Sequence, residues 1–229
     1  MADWLEHRAW QRDAASVSNE VQNYATLLQY ARDFHEESWC QDALDEMYDW
    51  LDRRQDSQTG YWGYGKETPR ERSLGVQTGY HLWLLYFYDA RPVHYPERII
   101  DSCLATQNHL GGFGVTPNSS ACEDMDSIHP LVHFACLTDY RREDVRRCLE
   151  RASVWVMANF NGDGGAVFQR GQGFRYGHDL MRTRAGESSM FPTWFRTLSL
   201  GYLSQLLSDR LAPWSSWQFL EGPGMQFWR

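Results

Sequence analysis

Three glycine-and-aromatic turns recur about every fifty residues along this chain. They are Gly60-Tyr61-Trp62-Gly63, Gly111-Gly112-Phe113-Gly114 and Gly164-Gly165-Ala166-Val167-Phe168. A regular return of the same turn means one supersecondary unit used repeatedly, each copy burying its apolar face against the next. Glycine permits the positive φ of a tight reversal, and the aromatic residue beside it can plug the space between neighbouring units.

Apolar periodicity supplies the rest of the unit. Val17, Val21, Tyr24, Leu28 and Ala31 fall on one face of a helix, and Trp39, Cys40, Ala43, Leu44, Met47, Tyr48 and Leu51 form a broader stripe on the next. Ile99, Ile100, Cys103 and Leu104 mark another amphipathic segment, as do Val145, Leu149, Ala152 and Val156. Between these lie segments apolar nearly all round: His81 to Tyr88, Pro130 to Leu137 and Thr197 to Leu207. A helix of that kind must be enclosed by protein. The alternation predicts inner and outer helices in turn, about four antiparallel pairs forming a single all-α domain over residues 1–229. Ser18, Ser73, Asp126 and Ser188 or Ser189 are expected to start the inner helices, because short polar side chains cap helix N-termini.

Charge and composition narrow the partners. The net charge of -8 disfavours phosphate backbones, so no nucleic-acid partner is expected. Arg141, Arg142, Arg146 and Arg147 read as a solvated helix start. The apolar stretch from Leu82 to Tyr88 is far too short to cross a bilayer, so the chain is expected not to be transmembrane. Five cysteines without a CxxC pair, and no leader segment, are the pattern of a reducing cytoplasm. Aromatic residues make up 15% of the chain, enough for an aromatic-packed core or for a cavity walled by ring faces.

The linkers carry a family likeness. Gln107-Asn108-His109-Leu110-Gly111-Gly112-Phe113 resembles the Q-x-x-x-G-x-W/F repeat of squalene–hopene cyclases. Asp56 to Gly63 is a looser copy, and Asn161-Gly162-Asp163-Gly164-Gly165 is similar to the N-x-D-G-G linker of the same repeats. The resemblance runs from about Val17 to Leu207 and points to the terpene-cyclase and prenyltransferase repeat superfamily. It implies an (α/α) toroid, or an incomplete barrel where fewer than six helix pairs are present. Four pairs leave apolar ends, which implies either a homodimer or a covering tail built on Trp214, Trp217, Phe219, Phe227 and Trp228.

The same resemblance directs attention to the inner-helix N-termini. Asp124-Met125-Asp126-Ser127 is similar to the D-x-D-D motif of class II terpene cyclases, with Ser127 in the last position. It implies that Asp126 is a proton donor to an apolar, isoprenoid-type substrate, with Asp124 and His129 as its modulators. Such an acid must be held protonated, and burial beside another carboxylate does that. Asn19, Gln77, Tyr80, His81, Glu187, Trp194 and Arg196 are the expected substrate-binding residues around the mouth. Acid chemistry of this kind requires no cofactor. A divalent metal held by Asp124, Asp126 and His129, with Glu187 and His178, is the alternative. The segment from Phe168 to Phe191 lacks periodicity and carries Arg170, Arg175, Arg182 and Arg184, as a binding loop or a solvated surface loop would. Two other functions stay open: a non-catalytic toroid that binds a lipid, glycan or protein, and a glycan-active toroid using paired carboxylates.

Overall fold

The helix starts are set by signals upstream of the expected ones. The computed structural model describes residues 1–211, 217–220 and 222–224. Thr68-Pro69-Arg70-Glu71 forms a capping box with proline in the first turn, opening the helix Pro69–Tyr88. Ser120 and Glu123 form a second box that opens Ala121–Leu137. Asp13, at φ −153°, breaks Trp10–His35, and its Oδ1 accepts from the Ser16 N–H at 3.2 Å, restarting the helix there. Ser18, Ser73 and Asp126 therefore lie inside helices rather than at their caps. A reciprocal box satisfies two orphan donors where a lone side chain satisfies one. Ser189 does stand at the N-cap of Met190–Leu206, while Ser188 bonds to Asp163 and Asn161 in the preceding turn.

Two units divide the chain. The first is residues 1–102 with 218–229 and the second is residues 103–217. The first holds α1 (Ala2–Glu6), α2 (Trp10–His35), α3 (Trp39–Asp52) and α4 (Pro69–Tyr88), and α5 (Pro96–Leu104) runs across the boundary. In this unit α2 packs on α3 and, past it in sequence, on α4. Ser18 meets His81, and Gln29 further along α2 reaches the Leu85 carbonyl, so α2 and α4 run the same way. Arg32 near the end of α2 reaches Gln41 near the start of α3, so that pair is antiparallel. Val17, Val21, Ala25 and Gln29 are the buried line of α2, whereas Tyr24 is exposed.

The second unit repeats the plan with α6 (Ala121–Leu137), α7 (Arg142–Ala158) and α8 (Met190–Leu206). Asp124 faces Arg196, Met125 faces Ser199 and His129 faces Tyr202, which makes α6 and α8 parallel. Arg146 at the start of α7 reaches the Leu206 carbonyl at the end of α8, so the outer helix runs against the inner pair. The α7 arginines are surface ion pairs, Arg141 and Arg147 with Asp144 and Arg142 with Asp139. Within each unit two parallel helices pack with an antiparallel third, and the described residues are mostly helical. A two-residue antiparallel ladder, β1 (Phe174–Arg175) with β2 (Arg182–Thr183), is the one sheet among them. Of the aromatic tail, Trp217 and Phe219 are described, and Trp217 is partly exposed; Trp214, Phe227 and Trp228 lie outside the described residues.

The three linkers share one geometry. Asp56, Asn108 and Asn161 each donate a backbone N–H across the turn, to Tyr61, Gly112 and Gly165 at 3.0, 2.8 and 2.7 Å. Gly60, Gly111 and Gly164 sit at φ of +78°, +101° and +82°, which excludes an ordinary side chain. The residues that follow the acceptors Tyr61, Gly112 and Gly165, namely Trp62, Phe113 and Ala166, are all buried. The glutamine of the repeat has a defined task. Gln107 Nε2 donates to the Gly111 carbonyl at 3.0 Å and to the Cys148 carbonyl of α7 at 2.8 Å. Gln55, which the looser sequence copy omitted, does the same toward Gly60 and His94 at 2.8 and 3.0 Å.

Candidate functional site

The two aspartates of the acidic motif are two residues apart, so they leave α6 on different faces. Asp124 points into a closed polar node. Its Oδ1 accepts from the Phe113 N–H at 2.9 Å and from Ser119 Oγ at 2.7 Å. Its Oδ2 accepts from Trp155 Nε1 at 2.9 Å and from Arg196 Nη1. Arg196 also donates to the carbonyls of Ser119 and Phe168 at 3.4 and 3.2 Å. Both charged side chains are fully buried. This node joins the second linker, α6, α7, α8 and the start of the segment after the third linker. Burying a pair of opposite charges is tolerable only with this degree of hydrogen bonding.

Asp126 has the opposite surroundings. No described residue donates a hydrogen bond to its carboxyl group, and Asp126 is 4% exposed where Asp124 is 0% exposed. Pro130, four residues on, has no N–H to offer the Asp126 carbonyl. Burial, and then the negative charges of Glu123 and Asp124, push the Asp126 carboxyl well above its ordinary range.

Helical spacing places Cys122, Asp126, His129 and His133 along one stripe of α6. Burial disfavours the charged form of every member. Burial pushes the Cys122 thiol well up, with Asp126 adding to the effect. It pushes His129 well down, His133 contributing, and lowers His133 to about 4. The His129 ring stacks on Tyr202 of α8 with centroids 4.1 Å apart and planes 8° from parallel. The stripe can hold and donate a proton. Among the described residues no group of three or more His, Cys, Asp or Glu is arranged to hold a metal ion.

The other expected contact residues fall in both units. Arg196 joins Asp124, as its charge suggests, but as a structural partner. Glu187 is exposed, and its carboxylate accepts the Arg184 N–H at 2.8 Å, closing a turn. Trp194 is 45% exposed on the first turns of α8, edge-on to Phe195. In the first unit, Gln77 donates to Ser73 at 3.2 Å and His81 shares a 3.0 Å hydrogen bond with Ser18. Burial lowers His81 to about 4. Tyr80 is buried and Asn19 is exposed, accepting from Asn23. His133 and Cys122 were not among the expected catalytic residues. Cys122 lies four residues before Asp126 and His133 seven after, and that spacing is the signal that puts them on its helix face.

No family model, curated protein or solved structure matches this chain.

Proposed function

We propose that the chain is a terpene-cyclase- or prenyltransferase-like repeat protein in which Asp126 acts as a general acid on an apolar, isoprenoid-type substrate. The repeated helix pairs are then elements of an (α/α) toroid or incomplete barrel. One observation carries the reading: Asp126 is a buried carboxyl, shifted well above its ordinary range, with no hydrogen-bond partner among the described residues. An acid left unpaired in a dry setting has its proton available for transfer. Its O–H bond breaks as a new C–H bond forms at an alkene carbon, leaving a carboxylate and a carbocation. Loss of a proton from the cyclised cation to a neutral imidazole, such as His129 or His133, would end the reaction. Asp124 serves this chemistry through its negative charge, which holds the Asp126 proton in place. No cofactor is needed for such a step.

The decisive experiment incubates the protein with squalene, and separately with geranylgeranyl diphosphate, in deuterated water. Cyclised product carrying one deuterium, made by the wild type and lost in Asp126→Asn, is the expected result. Absence of such product from both substrates between pH 5 and 8, or its persistence in Asp126→Asn, would overturn the proposal. A second reading has its own observation. Four donors saturate Asp124, the first carboxylate of the motif. That is what a non-catalytic scaffold binding a lipid, glycan or protein would retain, and unaltered squalene bound without turnover would support it.

A further inference from the structure

The hairpin between α7 and α8 concentrates features that the Asp126 chemistry does not use. Its ladder pairs Phe174 with Thr183 and Arg175 with Arg182. Two arginines directly across an antiparallel ladder repel each other unless an anion lies between or above them. Arg175 has a partner in Asp179 at 2.9 Å, whereas no described residue forms an ion pair with Arg182 or Arg184. From Phe174 to Ala185 there are three arginines against one aspartate, in a chain whose net charge is -8.

The apolar residues of this segment are divided in a telling way. Phe174 stacks on Phe168 at 4.0 Å, and Tyr176 stacks on Phe191 at 4.8 Å, so the foot of the hairpin is fixed. Phe168 is itself tied down, because its carbonyl accepts from Ala121 N and Arg196. At the tip the apolar side chains point away from protein. Leu180 is 88% exposed and Met181 54%, and Met190, next to the Phe191 on which Tyr176 stacks, is 80% exposed on the first turn of α8. Tyr176 and Trp194, both about half exposed, flank this tip. Exposed aliphatic side chains, half-exposed aromatic ones and arginines without an ion partner among the described residues are the three kinds of group that a bilayer interface takes up. The acyl region takes the first, the headgroup boundary the second and lipid phosphates the third.

We propose that this hairpin is a membrane-docking element that inserts Leu180, Met181 and Met190 into the surface of an anionic bilayer, with Arg182 and Arg184 against the lipid phosphates. The rigid foot on Phe168 and Phe191 holds the tip at a fixed angle. Docking stands independently of the Asp126 chemistry.

Vesicle co-sedimentation tests it with the intact chain. Vesicles of phosphatidylcholine containing phosphatidylglycerol should capture the protein, and vesicles of phosphatidylcholine alone should capture at least about tenfold less. Leu180→Asp with Met181→Asp should abolish capture, and Arg182→Ala with Arg184→Ala should weaken it at least about tenfold and reduce its dependence on salt. All four positions are on the hairpin surface, and far-UV circular dichroism establishes that each variant keeps its helices. Asp126→Asn should bind vesicles like the wild type, which separates this inference from the catalytic one. No capture by the anionic vesicles, equal capture by both kinds, or capture unaltered by the Leu180 and Met181 substitutions would each overturn it. The last outcome, together with salt-sensitive binding, would point to a different basic surface.

Discussion

The Arg196 guanidinium donates to the Asp124 carboxylate with both side chains withdrawn completely from solvent. The pair lies at the start of two parallel inner helices and holds them in register. Removing one partner leaves the other charged and buried, which costs about 3–5 kcal/mol. Asp124→Ala and Arg196→Met should each destabilise the protein by that order. The double variant should lose clearly less than the sum, because neither charge is then stranded. Urea denaturation of the four proteins gives the coupling directly.

Asp126 should impose a pH dependence of the opposite sign to an ordinary paired carboxylate. Its folded-state pKa is raised, so the folded protein keeps a proton that the unfolded chain has released. Stability contributed by this group is intact below the unfolded carboxylate value near 3.8 and declines as pH rises above it. Asp126→Asn removes that decline. The variant should gain stability relative to the wild type between pH 5 and pH 8, measured by denaturant midpoints at both values.

The lowered histidines act at the acid end. His81 and His133 fall from 6.5 to about 4 in the folded protein, while the unfolded chain protonates near 6.5. Stability should therefore be lost as pH falls from 6.5 toward 4. Imidazole proton resonances that do not titrate above pH 5 in the folded protein would establish the cause. His133→Gln should flatten the acid limb of the stability profile.

Gly112 tests the link between the repeat turn and the buried node. A Cβ at that position would collide with Ser119 Oγ and approach Trp155 Nε1 at 2.5 Å, displacing two of the four donors to Asp124. Gly112→Ala should destabilise by about 2 kcal/mol or more, through overpacking and lost hydrogen bonds together. The equivalent change at Gly162, where the added carbon meets nothing within 4 Å, should be nearly neutral. Thermal unfolding of both variants compares them.

The linear order of residues determined the helix alternation, since the period of apolar positions and the positive-φ glycines are local properties. Gly60, Gly111 and Gly164 could be read as equivalent turns because each needs the same backbone conformation whatever surrounds it. The helix starts were also written locally, in Thr68-x-x-Glu71 and Ser120-x-x-Glu123, although the polar residues deeper in the helices drew attention away from them. Gln55 was hidden by one extra residue before its glycine. What the sequence left undecided was the division of labour within Asp124-Met125-Asp126. Asp124 becomes a saturated structural anion because Phe113 and Ser119 of one linker, Trp155 of α7 and Arg196 of α8 arrive at one point. The Asp126 carboxyl, two residues away, is pushed well above its ordinary range because it is buried and nothing comparable reaches it. Protonation states depend on the groups packed around a carboxyl and on the loss of water there, and only the tertiary structure supplies either.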